Sequence, residues 1–284
     1  MIVAVTSRRG GTGCSTISLV MSSILKSHLE QRVCLVDLKD NNDTTKLIRV
    51  DTSASINNLI SDFGLNNRFT TMEENLINYN GISILPGVKS PIRNYLLKKT
   101  TRIKELLLQL EKDFDVVVVD VEDGELYRTL LSAEVNMLAI NVLEQNSLVM
   151  CEYQEEMASG FLQGVMILNK VDARVWPYES LFRKAFSKDR IFLLPYSAEL
   201  KSTINHYGVK LDLISNTKFF EELMEVCKFI KDKTKDYNEK LGLGKEGELD
   251  LSDIFEVFPK ASTKKKSKKK GFFSSLFKKN GGAK

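Results

Sequence analysis

The sequence predicts an α/β fold in which a mostly parallel β-sheet is flanked by helices. Short apolar runs alternate with segments of helical periodicity through residues 1–240, and this alternation is typical of a sheet with helical crossovers. A run that is apolar at every position fits a strand covered on both faces. A glycine-rich turn also joins the first run to a helix. We therefore expect a single α/β domain over residues 1–240.

The strands and helices of this domain are assigned from their patterns, in chain order. The predicted strands are the apolar runs Ile2–Thr6, Val33–Asp37, Gly81–Gly87, Phe114–Asp120, Met137–Val142 within Glu134–Val142, Gly164–Lys170 and Arg190–Pro195. The predicted helices carry apolar residues three and four positions apart, and they are 15–30, 100–112 and Thr217–Tyr237.

A phosphate-binding loop is predicted between the first strand and the first helix. Residues 9–16 read Arg-Gly-Gly-Thr-Gly-Cys-Ser-Thr. Glycines let the backbone turn its N–H groups toward an anion, and the helix N-terminus adds a positive dipole. The usual loop ends in Gly-Lys followed by Ser or Thr, but Cys14 stands at the position of that lysine. The pattern therefore indicates a nucleotide-binding fold with altered chemistry.

Three polar residues follow or end other predicted strands, namely Asp37, Asp120 and Asn169. Ligands of parallel α/β sheets bind beyond the carboxyl ends of the strands. We therefore expect these side chains to converge on the loop at Gly10–Gly13.

Together these motifs resemble those of the MinD/ParA superfamily of deviant Walker A ATPases, over roughly residues 1–235. The family loop reads Lys-Gly-Gly-x-Gly-Lys-Ser/Thr-Thr, and the segment 113–120 resembles its Walker B strand. The resemblance implies a SIMIBI-type P-loop NTPase fold, ATP and Mg²⁺ as cofactors, and a homodimer. Nucleotide would be bound by Arg9, Gly10, Gly11, Thr12, Gly13, Cys14, Ser15, Thr16 and Asn169.

The resemblance also implies individual roles. Ser15 would offer its hydroxyl to Mg²⁺, and Asp37 and Asp120 would order magnesium-bound water. Asn169 would contact the adenine. Arg9 would take the place of the loop lysine that reaches the partner subunit's nucleotide, with a guanidinium in place of an ammonium.

Two departures from the family pattern predict weak or absent ATP hydrolysis. Cys14 removes a positive charge that stabilises phosphoryl transfer, and Lys39 replaces the second acid of an Asp-x-Asp motif. Each such loss commonly costs about 100-fold in rate. The preferred interpretation of Lys39 is a solvated strand-end lysine, and the alternative is that it supplies the charge missing at Cys14. Cys14 as a reactive thiol is disfavoured because no histidine is nearby in the sequence.

The end of the chain has a different composition. Residues 260–284 contain ten lysines and no acid, so a net charge of +4 for the chain leaves −6 for residues 1–259. A flexible acidic-apolar linker is predicted at 241–259. The tail 260–284 combines a polybasic run with an apolar helix face, which is typical of an interfacial membrane anchor. Its predicted membrane-binding residues are Lys268, Lys269, Lys270, Phe272, Phe273, Leu276, Phe277 and Lys278.

Alternatives stay open for both terminal segments. The disfavoured alternative for the tail is a disordered basic segment that binds nucleic acid or nothing. Leu249–Phe258 would dock a protein partner, fold back on the domain, or shield the lysine run with its acids.

Composition limits the function classes. The four cysteines form neither a Cys-x-x-Cys pair nor a cluster with histidine, which argues against a disulfide framework and a zinc site. No apolar run approaches the ~20 residues of a membrane span, and no signal peptide is predicted. We expect a cytoplasmic protein that lies peripherally on the inner face of the cell membrane.

Three functions fit the sequence. The first is a MinD-like spatial positioning or scaffold protein with little or no hydrolysis. A degenerate loop of this kind also resembles that of the TadZ/CpaE branch, which places pilus or secretion machinery. The second is an active ATPase that cycles on and off the membrane. The third is a ParA-like DNA-partitioning protein, which the acidic body disfavours, and nucleic acid is accordingly an unlikely partner.

Overall fold

A computed structural model of the protein describes residues 1–39, 42–66, 69–88, 96–132, 135, 137–146, 148, 152–153, 164–185 and 191–240. The strands in this part are β1 (Ile2–Thr6), β2 (Val33–Asp37), β3 (Ile77–Tyr79), β4 (Ile82–Leu85), β5 (Val116–Asp120), β6 (Met137–Glu144), β7 (Val165–Val171) and β8 (Ile191–Pro195). The helices in this part are α1 (Cys14–Ser27), α2 (Asp43–Ile48), α3 (Ile56–Asn66), α4 (Thr100–Asp113), α5 (Glu125–Ser132), α6 (Glu179–Ala185), α7 (Ala198–Tyr207), α8 (Leu211–Ile214) and α9 (Lys218–Lys240). The predicted linker 241–259, including Leu249–Phe258, and the predicted tail 260–284 lie outside the described residues.

The strands form one eight-stranded sheet with the order β3-β4-β2-β5-β1-β6-β7-β8. Each neighbouring pair of these strands is parallel, apart from the antiparallel pair of β3 and β4. β1 lies between β5 and β6. Because β1, β2 and β5 run in the same direction, their carboxyl ends lie at the same edge of the sheet. The predicted mostly parallel sheet is confirmed.

Helices cover both faces of the sheet. On one face Val3 joins an apolar cluster with α1 and α9, which contribute residues such as Ile17 and Leu223. On the other face Ile2 packs in a second cluster with α3, α4 and α5, which includes Leu106. β1, β2 and β5 are buried at every position. This two-sided burial is the reason that their sequences are continuous apolar runs.

The described strands differ from the predicted ones mainly at a hairpin. The strand predicted at Gly81–Gly87 is shorter, and β3 precedes it as a strand that was not predicted. Asn80 and Gly81 both have positive φ, 51° and 81°, and form the two-residue turn between β3 and β4. β3 has three residues and none of them is fully buried, so it lacks the apolar run by which the other strands were recognised.

Gly164, directly before β7, provides a test of the strand packing. Its φ is +95°, and a Cβ at this position would lie 2.1 Å from the carbonyl oxygen of Ala139 in β6. We expect Gly164→Ala to lower the free energy of unfolding by at least about 2 kcal/mol, because both backbone strain and overlap with a neighbouring strand follow. Urea denaturation measures the loss.

Gly124→Ala is the matched control, since nothing lies within 4 Å of a Cβ placed there. Its effect should stay within about 0.5 kcal/mol. Equal stability of the two variants would contradict the described approach of Gly164 to β6.

Candidate functional site

The glycine-rich segment forms a loop between β1 and α1, as predicted. Gly11 and Gly13 have φ values of +80° and +97°, a conformation that favours glycine. Gly13 is the N-cap of α1, and its carbonyl oxygen accepts the first helical hydrogen bond from the Ile17 N–H at 2.9 Å. The loop therefore ends directly at the helix N-terminus, which is the arrangement required for binding an anion.

Side chains at the end of β7 donate hydrogen bonds to carbonyl oxygens of this loop. The Asn169 amide donates to the Thr12 carbonyl oxygen at 2.7 Å. The Lys170 ammonium donates to the Gly11 carbonyl oxygen and pairs with Glu144 at 2.9 Å. A Cβ on Gly13 would lie 2.7 Å from the Asn169 amide nitrogen, so this glycine is also required for close packing. The predicted contact of Asn169 with adenine stays a prediction, and its described contact is with the loop.

Lys39 points into the site, which corrects the preferred interpretation of a solvated lysine. Its Nζ donates to Ser15 Oγ at 3.0 Å and lies 2.7 Å from Asp120 Oδ1. The Lys39 side chain is only 11% exposed. The alternative interpretation, in which Lys39 supplies positive charge beside the loop, agrees with this geometry.

The backbone after β2 directs Lys39 toward the loop. Both carboxylate oxygens of Asp37 accept backbone N–H groups, from Lys39 at 3.0 Å and from Thr44 at 3.0 Å. Gly87 packs against this turn, since its added Cβ would lie 3.2 Å from Asp37 Cγ. Asp37 therefore fixes the turn from which the lysine extends.

Burial and the ion pair set the charges of the site. Burial raises the pKa of Asp120, and Lys39 opposes this shift. Burial, and then repulsion by Asp120, raise the pKa of Asp37 to about 7. Burial lowers the pKa of Lys39, but the attraction of Asp120 and other groups outweighs it, so the net shift is upward. Lys39 is therefore charged at neutral pH.

Cys14 carries no charge at neutral pH. Its thiol is buried, and burial raises its pKa to about 11 although nearby Lys39 acts in the opposite direction. Its Sγ lies 3.4 Å from Thr12 Oγ1. Position at a helix N-terminus does not make this thiol reactive, because loss of solvent dominates.

The two arginines that begin the loop have partners within the chain. Arg8 pairs with Asp123 at 3.0 Å, and its guanidinium stacks on the Tyr153 ring at 4.9 Å. Arg9 pairs with Glu152 at 3.1 Å, with both side chains more than 40% exposed. An exposed pair of this kind is weak and readily exchanged. The predicted reach of Arg9 to a partner subunit's nucleotide stays a prediction.

A cleft of about 670 Å³ opens over the loop. Its lining comprises residues 7–16, Lys39, Asp43, Lys46, Leu47, Arg49, Glu122, Asp123, Ile204 and Asn205. The volume is that of a site for a small organic ligand. Two basic residues of this lining, Lys46 in α2 and Arg49 at its C-terminus, were not predicted as site residues. Their signal was their position in the connection that follows the strand ending in Asp37.

The described arrangement does not fit Mg²⁺ in the position that the family resemblance implies. Ser15 and Asp120 both contact the Lys39 ammonium, and Asp37 uses both oxygens for backbone N–H groups. The metal roles predicted for Ser15 and Asp120 would require Lys39 to leave, and the role predicted for Asp37 stays a prediction.

Comparison with known proteins gives matches in structure. No protein-family model matches the sequence, and no curated protein sequence matches it either. The septum site-determining protein MinD of Pyrococcus horikoshii, complexed with Mg-ADP, matches with a TM-score of 0.62 and 15% identity, over 81% of this chain and 96% of that one. The MinC:MinD cell division complex of Aquifex aeolicus matches with a TM-score of 0.62 and 14% identity, over 81% and 96%.

A ParA family ATPase from Chlorobium tepidum matches with a TM-score of 0.63 and 12% identity, over 80% of this chain and 98% of that one. At these identities the similarity establishes the fold. The chain has the P-loop α/β fold of the MinD and ParA ATPases, and the predicted fold class is confirmed.

The contribution of the ion pair of Lys39 and Asp120 to the free energy of unfolding can be tested. We expect Lys39→Met to lower the free energy of unfolding at pH 7 by about 3 kcal/mol, because it leaves a buried carboxylate without its cation. Adding Asp120→Asn to that variant should return most of the loss. The penalty of Lys39→Met should shrink as the pH falls, because protonation of Asp120 removes the uncompensated charge.

Lys46→Met is the control for this cycle. Lys46 is 68% exposed and lies 3.6 Å from Asp43, so its loss should change the stability by less than about 1 kcal/mol. If Lys39→Met unfolds at the same urea concentration as Lys46→Met at pH 7, the buried ion pair does not exist as described.

Proposed function

We propose that this chain is a degenerate MinD/ParA-type protein that acts in spatial positioning at the membrane, with nucleotide as a structural switch. The observation that carries the proposal is the Lys39 ammonium, held between Ser15 Oγ and Asp120 Oδ1 beside an otherwise intact glycine loop. The loop retains its ability to bind phosphate, while the groups that assist hydrolysis are replaced.

The similar solved structures support this assignment. One of them is a MinD protein that holds Mg-ADP, and another is a MinD protein in complex with MinC. By analogy we propose a homodimer that recruits a protein partner. Leu249–Phe258, with acids alternating between large apolar residues, is the proposed partner motif.

The electrostatics of the site favour binding over turnover. Phosphoryl transfer is accelerated chiefly by positive charge placed at the transferring phosphoryl group. Cys14 is neutral, and the charge of Lys39 is already paired with Asp120 at 2.7 Å. Position 39 also lacks the acid that, by the family resemblance, positions the attacking water.

The membrane part of the proposal rests on the sequence of the tail. Phe272, Phe273, Leu276 and Phe277 lie on one face of a predicted helix, after a run of lysines. Each lysine near an anionic surface contributes about 1 kcal/mol, so a short apolar face becomes an effective anchor. In the described part of the chain, none of the helices has both the length and the apolar character needed to span a bilayer.

An active ATPase is the second candidate, because Lys39 does bring a cation to the loop. Phosphate release in ATP and Mg²⁺ separates the two functions. We expect negligible release from the wild-type protein. We expect an increase of about 100-fold in the double variant Cys14→Lys, Lys39→Asp, which restores the family residues at both positions.

Lys46→Asp in the Cys14→Lys background is the matched control, since it makes the same charge change at the rim of the cleft. This control variant should not release phosphate faster than the wild-type protein. Release from the wild-type protein that disappears in Lys39→Ala would identify the chain as an active ATPase and contradict the switch.

Flotation with vesicles that contain anionic phospholipid tests the anchor. We expect the full chain to float with these vesicles and Phe273→Glu to lose most binding, because it places a charge on the apolar face. Ser267→Glu adds the same charge within the lysine run and should weaken flotation only partly. Equal flotation of both variants and the wild-type protein would contradict membrane association through the tail.

A further inference from the structure

We propose that the Lys39 ammonium takes the place of Mg²⁺ in this cleft, so that the phosphates of a nucleoside diphosphate bind without a divalent cation. The inference rests on the proposed nucleotide switch and adds the nature of its counter-ion. It follows from the two oxygens that Lys39 contacts, which come from the start of α1 and from the end of β5.

The Lys39 contacts are those of an ammonium ion with well-placed acceptors. Nζ lies 3.0 Å from Ser15 Oγ and 2.7 Å from Asp120 Oδ1, in the range of charge-assisted hydrogen bonds. An ammonium has three N–H donors. Lys39 also lines the cleft above the loop, so its charge is available to an anion that binds there.

Mg²⁺ and the Lys39 ammonium exclude each other at this position. Mg²⁺ requires near-octahedral oxygen ligands at 2.0–2.1 Å, and Lys39 already contacts Ser15 Oγ and Asp120 Oδ1. Two cations a few ångströms apart in a buried site repel strongly.

Expelling Lys39 to admit the metal is also unfavourable. Its side chain is 11% exposed, and Asp120 is fully buried. The turn after β2 is fixed by the two hydrogen bonds to Asp37. The lysine is therefore preorganised as the counter-ion of the site before any ligand arrives.

The remaining phosphate contacts come from groups that need no metal. The loop presents its glycines at the N-terminus of α1, where backbone N–H groups and the helix dipole attract anions. Lys46 and Arg49 line the rim of the same cleft. A diphosphate thus meets one cation at the base of the site and two at its edge.

Isothermal titration of the full chain with ADP, in Mg²⁺ and in EDTA, tests the inference. We expect the Kd of the wild-type protein in EDTA to stay within about twofold of that in Mg²⁺. We expect Lys39→Met to bind ADP at least about tenfold more weakly in EDTA, because a charged hydrogen bond is lost. Mg²⁺ should recover part of that loss, because Ser15 and Asp120 become available to the metal.

Lys46→Ala is the control, and it should weaken binding by the same factor in both buffers. The comparison within the wild-type protein requires no variant, so it stands even if Lys39→Met is unstable. A wild-type affinity that falls about tenfold or more in EDTA, or no ADP binding in either buffer, overturns the inference.

This outcome is separate from that of the proposed function. Metal-dependent ADP binding without phosphate release, together with flotation on anionic vesicles, would leave the positioning switch in place. Loss of flotation with metal-independent binding intact would remove the membrane role and leave the site as inferred.

Discussion

The ion pair between Lys39 and Asp120 determines the character of this site. Asp120 ends β5 and is fully buried, and a buried carboxylate requires either a proton or a cation close by. Lys39 supplies that cation and at the same time donates to Ser15 at the start of α1. The Lys39 ammonium thereby joins the turn after β2 to the start of α1 and to the end of β5. The remaining polar contacts of β2 keep this ammonium in position, since Asp37 binds the backbone of the turn.

Much of the fold follows from the sequence, because β1, β2 and β5 are covered on both faces and their apolar runs are unambiguous. The loop was predictable from Gly11 and Gly13, which adopt backbone conformations that favour glycine. The hairpin of β3 was missed because three residues, none of them fully buried, give no apolar run, although the Asn80-Gly81 pair is typical of a two-residue turn.

The direction of Lys39 illustrates what local patterns omit. A lysine after a strand is normally solvated, and that expectation was wrong here because Asp120 lies in the adjacent strand, paired in register with Asp37. The contact joins residues far apart in sequence, so composition near Lys39 does not reveal it. The burial of Cys14 is similar: a helix N-terminus favours a thiolate, but the packing around it removes the solvent that a thiolate needs.

The strand that holds the loop, β7, is followed along the chain by an optical probe. Asn169 and Lys170 hold the loop carbonyls, and the chain then continues to Trp176, the single tryptophan of the sequence. The amide nitrogen of Gln145 lies 2.7–3.0 Å from the carbonyl oxygens of Asp172, Val175 and Pro177, which share its two N–H donors, and this contact fixes the segment to the end of β6. Trp176 is 48% exposed, so its emission depends on local solvent. The indole is an intrinsic fluorophore in the segment that follows β7, the strand whose side chains hold the glycine-rich loop.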